Sequence, residues 1–189
     1  VFNLVYLILF AIHFFNRGNF EFIWYIFIML ILILIFSLLH KKYNFSQLTL
    51  WGLSLWGLGH MFGGSTLFGE PRIYARVLFD IFTTDDTTIF RYDHLMHFYF
   101  YVVMTNVIYQ ISEKYFKPKS NWKVVSIIVV FSSMGVGAFN EIIELLPVLF
   151  LSETGVGGYY NIAWDIVFNT IGAIVGIIYI ILKNEKFKK

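Results

Sequence analysis

FEFIWYIFIMLILILIFSLL, residues 20–39, decides the fold class. Twenty residues rising about 1.5 Å each span about 30 Å, the thickness of a bilayer's hydrocarbon core. Five further apolar runs flank this one, at 1–15, 47–62, 94–112, 122–146 and 160–182. Backbone in lipid has no water to bond, so each run must satisfy itself as a helix. The expected fold is therefore all-α: a polytopic membrane bundle of about six transmembrane helices, forming a single integral membrane domain over 1–189. No sheet pattern competes. Pro147 is expected to end the fifth helix near Leu146 or kink it there.

Composition agrees. Of 189 residues, 58% are hydrophobic and 14% charged, where soluble domains are nearer half and a quarter. Cysteine is absent, which excludes disulfides, thiolate metal ligands and a cysteine nucleophile. The opening run has no basic residue before it and reads as a first transmembrane helix, not a signal peptide.

Charge distribution sets the expected orientation. Lys41 and Lys42 follow the second run, Lys114, Lys117, Lys119 and Lys123 lie between the fourth and fifth, and Lys183, Lys186, Lys188 and Lys189 form the tail. Positively charged loops stay in the cytoplasm, so both termini are expected there. Arg17, Arg72, Arg76 and Arg91 then all face outward, against that bias. The one long loop, 63–92, carries GEPRIYARVLFDIF (69–82) and TTDDTT (83–88). Its middle is expected to form a short amphipathic helix at the outer interface, with Pro71 in the first turn.

This topology brings the buried ionisable residues to one depth. His60 ends the third helix. Asp93, His94 and His97 begin the fourth. Asn140, Glu141 and Glu144 lie in the last third of the fifth, and Asp165 and Asn169 in the first turns of the sixth. Spacings of three and four place Asp93 with His97, Glu141 with Glu144, and Asp165 with Asn169 on shared faces. The expectation is one outward-facing pocket with His97, Glu141, Glu144 and Asp165 as its chemistry. His94 is expected to be solvated, and Asp93 to cap the fourth helix as well. Two carboxylates in one turn need a cation, a proton or arginines. A divalent metal (Zn, Mn or Fe) would draw on His60, Asp93, His97, Glu141, Glu144 and Asp165. Arg72, Arg76, Arg91, Asn140 and Asn169 would hold substrate, the arginines by bidentate bonds to phosphate. Gly172 and Gly176 mark a close helix contact, and Gly135 and Gly137 close packing beneath the pocket.

HMFGG (60–64), RYDHLMHF (91–98), NEIIE (140–144) and WDIVFNTIGAIVG (164–176) together resemble the YjdF-type bacterial inner membrane family and, more distantly, VanZ-like proteins. The resemblance implies a multi-pass protein of the prokaryotic plasma membrane and little settled chemistry. VanZ-like members are associated with glycopeptide resistance.

The functional expectation is a metal-dependent hydrolase or phosphatase acting on a lipid or envelope headgroup. The alternatives are a non-catalytic binder of an envelope component and a small proton-coupled transporter. The partners implied are the lipid bilayer and a phosphate-bearing envelope substrate, with a homo-oligomer open and no nucleic acid.

Overall fold

A computed structural model describes residues 1–83, 88–117 and 120–184. The acid pair Asp85–Asp86 and the lysines at 119, 186, 188 and 189 lie outside the described residues. Among those residues the chain forms six α-helices: α1 (Phe2–Asn16), α2 (Phe20–Tyr43), α3 (Gln47–Gly63), α4 (Tyr92–Ser112), α5 (Trp122–Phe150) and α6 (Tyr159–Lys183). The all-α bundle stands.

Local chemistry sets the helix ends. Asn19 accepts from the Phe22 N–H at 3.2 Å, Ser46 from Thr49 at 3.2 Å, and Asn121 from Lys123 at 3.1 Å. Asn44 stops α2 in the left-handed conformation (φ 56°), and Gly18 turns the chain between α1 and α2 (φ 63°).

The helices run alternately up and down. At one end, Asn19 bonds the Gly64 carbonyl, Glu21 meets Arg72 and Gly155, and Asn161 reaches Asp93. At the other, Tyr43 meets Tyr115, Gln110 ties both Ser46 and Thr49, and Lys114 bonds the Lys42 carbonyl. We call these the site end and the lysine end.

Three helices, α2, α5 and α6, are long and apolar enough to cross a membrane. The 15 residues of α1 and 17 of α3 fall short in length, and α4 carries Asp93, His94 and His97 within its 21. Outward faces are mainly apolar, including Ile8, Leu9 and Ile12 on α1 and Leu30, Leu34 and Leu38 on α2. So much contiguous apolar surface suits lipid rather than water.

Helix α4 is the axis. Gly172 and Gly176 of α6 lie against its backbone at Phe98 and Val102, where a methyl group at either position would collide. This is the small-residue contact expected there. Gly137 faces Asn169, whereas Gly135 faces open space. A hydrogen bond from Thr105 to Ser133 (2.9 Å) ties α4 to α5 in the buried interior.

Among the described residues of the 63–92 segment there is no amphipathic helix, against expectation. The segment forms a single 3₁₀ turn, Ile73–Ala75, and an antiparallel hairpin of β1 (Val77–Thr83) with β2 (Thr88–Arg91). Val77, Phe79, Ile81 and Phe82 are β-branched or aromatic, types that favour strands, and Asp80 alone offers no polar helix face. Pro71 follows a cis peptide bond in the loop before the turn. Of the two expectations for Pro147, the stop near Leu146 is not the one seen: helix α5 runs three residues past the proline, to Phe150. The proline leaves the Ile143 carbonyl without its usual donor.

Candidate functional site

His97 is the centre. It sits one turn into α4, with 8% of its surface exposed. Its Nδ1 donates to Asn169 Oδ1 on α6 at 3.0 Å, while Asn169 Nδ2 donates to Glu141 Oε1 at 3.4 Å. That bond orients the imidazole and leaves Nε2 as its inward-facing nitrogen. Around Nε2 stand Asp93 Oδ1 at 3.5 Å, Glu144 Oε1 at 3.8 Å and Asp165 Oδ1 at 3.8 Å, from α4, α5 and α6. Glu141 Oε1 is 3.8 Å from Nδ1.

These separations are too long for strong hydrogen bonds. They match the distance of about 3.5 Å between ligands arranged tetrahedrally about a cation at ~2.1–2.2 Å. Two overlapping groups, Asp93–His97–Asp165 and His97–Glu141–Glu144, each converge their ligand atoms within 4.8 Å.

Amides hold the carboxylates. Asn161 Nδ2 donates to Asp165 Oδ2 at 2.6 Å and Asp93 Oδ2 at 3.3 Å, and Asn140 Nδ2 donates to Glu144 Oε1 at 2.7 Å. Asp165 Oδ1 and Glu141 Oε2 are buried with no hydrogen-bond partner. Four carboxylates thus surround one imidazole, and two of their oxygens are unsatisfied.

A cavity of about 370 Å³ opens onto this cluster, lined by Asp93, His97, Glu144 and Asn161 and also by Glu21, Arg72, Tyr74 and Arg91. Glu21, buried near the start of α2, accepts from Arg72 Nη1 at 2.5 Å and from the Gly155 N–H at 2.6 Å. One side chain therefore joins α2, the loop after α3 and the α5–α6 loop. Arg91 Nη1 reaches Asn161 Oδ1 at 3.5 Å.

Several expected site residues stand elsewhere. His60 lies outside both ligand groups. Its Nδ1 is 2.5 Å from the Tyr74 hydroxyl, and Phe22, Tyr25 and Trp56 ring it. Burial pushes the Tyr74 hydroxyl well above the usual tyrosine range, so it stays protonated. Arg76 is turned away from the cavity and donates to the carbonyls of Phe68 (2.7 Å) and Gly69 (3.2 Å). His94 is buried, not solvated. It stacks on Phe168 with centroids 4.7 Å apart, and its Nδ1 accepts from the Phe90 and Arg91 N–H groups. The α4 cap is therefore made by His94, and Asp93 lies inside the first turn. Glu21, Asn161 and Tyr74 were not singled out from the sequence.

The chain belongs to the family described as Predicted membrane protein (DUF2238), whose model matches residues 1–186. YjdF is a member of that family. The match supports the YjdF-type resemblance and lends no support to the VanZ-like one. No curated protein and no solved structure matches the chain.

Proposed function

We propose that this membrane protein is a metal-dependent hydrolase acting on a phosphate-bearing lipid or envelope headgroup. The observation that carries the reading is the set of three carboxylates, from three helices, 3.5–3.8 Å from one oriented imidazole nitrogen. Carboxylates this close and largely out of water repel one another unless a positive charge stands between them. Asp93, His97 and Asp165 would hold a divalent cation. The oxygen-rich donor set suits Mn or Fe better than Zn. Such a cation lowers the pKa of bound water and polarises a phosphoryl oxygen.

The chain's own groups divide the remaining work. Glu144 lines the cavity and is the acid–base group for the substrate. Glu141, through Asn169, positions the imidazole. Arg72 and Arg91 line the same cavity and bind phosphate oxygens. In the membrane, we read the chain as one integral domain whose six alternating helices all span. The lysine end is cytoplasmic by the charge rule, the site end opens outward, and the membrane is the prokaryotic plasma membrane.

The clustered carboxylates and His97 gather at one end, and beneath them Tyr101, Val107 and Val129 are buried. That favours surface chemistry over a transport path.

The test is elemental analysis of detergent-purified protein beside a His97→Ala, Glu141→Ala double variant that still folds. Near-stoichiometric Mn or Fe is expected in the wild type and is lost in the variant. Phosphate release from headgroup phosphoesters should then vanish in Glu144→Gln, which keeps its metal. Equal metal in both proteins would sink the proposal.

A further inference from the structure

A second cavity, of about 280 Å³, lies between α1, α2 and α3 and shares no residue with the first. It runs from Asn3, His40 and Lys41 at the lysine end inward to Met29 and Trp56. Residues 29 to 41 of α2 span about 18 Å of helix. That is close to one leaflet of a ~30 Å hydrocarbon core.

Its chemistry is graded along that length. The inner part is apolar, walled by Leu32, Ile33, Phe36 and Leu53. The outer part is polar and incompletely paired. There Asn3 Oδ1 and His40 Nδ1 are buried without hydrogen-bond partners, and deeper, beside Gly57 and Met29, so is the hydroxyl of Tyr6, which is 5% exposed. Buried polar groups are nearly always paired, so three unpaired in one cavity point to an occupant that pairs them. Lys41 adds a cation at the mouth, beside Lys42 and Lys114 at the same end.

We infer that this cavity binds an anionic membrane lipid with a hydroxylated headgroup. One acyl chain lies along the inner wall, and the phosphate meets Lys41. Headgroup hydroxyls donate to Asn3 Oδ1 and His40 Nδ1, and the deeper Tyr6 hydroxyl donates to an ester carbonyl of the lipid. A zwitterionic choline lipid has no hydroxyl to give Asn3 and His40, and its quaternary ammonium opposes Lys41. The site is independent of the His97 cluster and does not rest on the proposed reaction.

The experiment is native mass spectrometry of the full chain in detergent, titrated with phosphatidylglycerol or with phosphatidylcholine of the same acyl chains. One retained phosphatidylglycerol per chain is expected, bound at least tenfold more tightly than phosphatidylcholine. Lys41→Gln and the cavity-filling Ile33→Trp should each weaken retention about tenfold. Lys183→Gln, which removes a lysine at the same end but outside the cavity, should leave it unchanged. If Ile33→Trp does not fold, Tyr6→Phe takes its place, since it deletes only the unpaired hydroxyl. Equal retention of the two lipids overturns the inference. So does retention insensitive to both Lys41→Gln and the cavity variant, or equally weakened by Lys183→Gln.

Discussion

Replacing Asp165 with Asn keeps the side chain's shape and deletes one charge at the most buried carboxylate of the cluster. Without a cation the cost is small, because two effects oppose each other. Attraction to a protonated His97 at 3.8 Å is worth about 4 kcal/mol at an effective dielectric of about 20. Repulsion from Asp93, whose ligand oxygen lies within 4.8 Å, is worth about 3.5 kcal/mol on the same scale. The metal-free variant should therefore unfold within about 1 kcal/mol of the wild type. With a cation the two proteins part. A wild type held at a hundred times its dissociation constant gains about 2.7 kcal/mol. For a chain of this size that raises the melting temperature by roughly 5–10 °C. The variant has lost a ligand, and its gain should fall below about 1 kcal/mol. The assay is thermal unfolding in detergent, with chelator and then with Mn²⁺ or Fe²⁺ added. A variant that keeps the full cation-induced shift would refute the assignment of Asp165 as a ligand. A wild type with no shift would refute the cation site itself.

Other substitutions probe the framework. His94→Ala removes the acceptor of two backbone N–H groups and a ring stacked on Phe168; it should cost about 2–4 kcal/mol and speed amide exchange at Phe90 and Arg91, and exchange unchanged at both would refute the cap. Gly172→Leu should prevent α4 and α6 from closing and abolish the folded protein, seen as loss of a monodisperse peak on size exclusion. Gly135→Ala, facing open space, should instead stabilise by about 0.5–1 kcal/mol, and equal outcomes for the two glycines would contradict the packing described. Glu21→Ala, which removes the shared acceptor, should free Arg72 and Gly155, accelerating amide exchange at Gly155 at least tenfold while leaving cation binding intact.

The bundle was legible because lipid leaves a chain few options, and the apolar runs of α1 to α6 mark their own bounds within a few residues. The cluster was legible for a related reason. Asp93, His97, Glu141, Glu144, Asp165 and Asn169 sit on regular helices, where spacing fixes the face and alternation fixes the depth. Contacts made by loops were not legible. Glu21 is a first-turn acid of an apolar helix with no partner near it in sequence, and only the folds of 64–76 and 151–158 bring Arg72 and Gly155 to it. One signal was present: four arginines gathered at the end opposite the lysines imply buried acids to meet them, and Glu21 was available. His94 misled because its place at the start of an apolar run, near the water boundary, suggests a solvated ring. Its ring instead turns back over the start of α4. The hairpin was missed because a search for spans weighs hydropathy above β-propensity.

The glycine contact between α4 and α6 and the proline in α5 together give the cluster two unequal jaws. Asp93, His97 and Asp165 ride on helices locked backbone to backbone, so their spacing cannot relax. Glu141 and Glu144 ride on the outer third of α5, where Phe139, Ile142 and Leu145 face outward and the Ile143 carbonyl lacks its usual donor. One jaw is fixed and the other gives. Coordination distances differ between ions, from about 2.0–2.1 Å for Mg²⁺ to 2.3–2.6 Å for Ca²⁺. A cation held as proposed by Asp93, His97 and Asp165 would meet only the fixed jaw, so the site would sort ions by radius, while the glutamates stay free to follow a substrate.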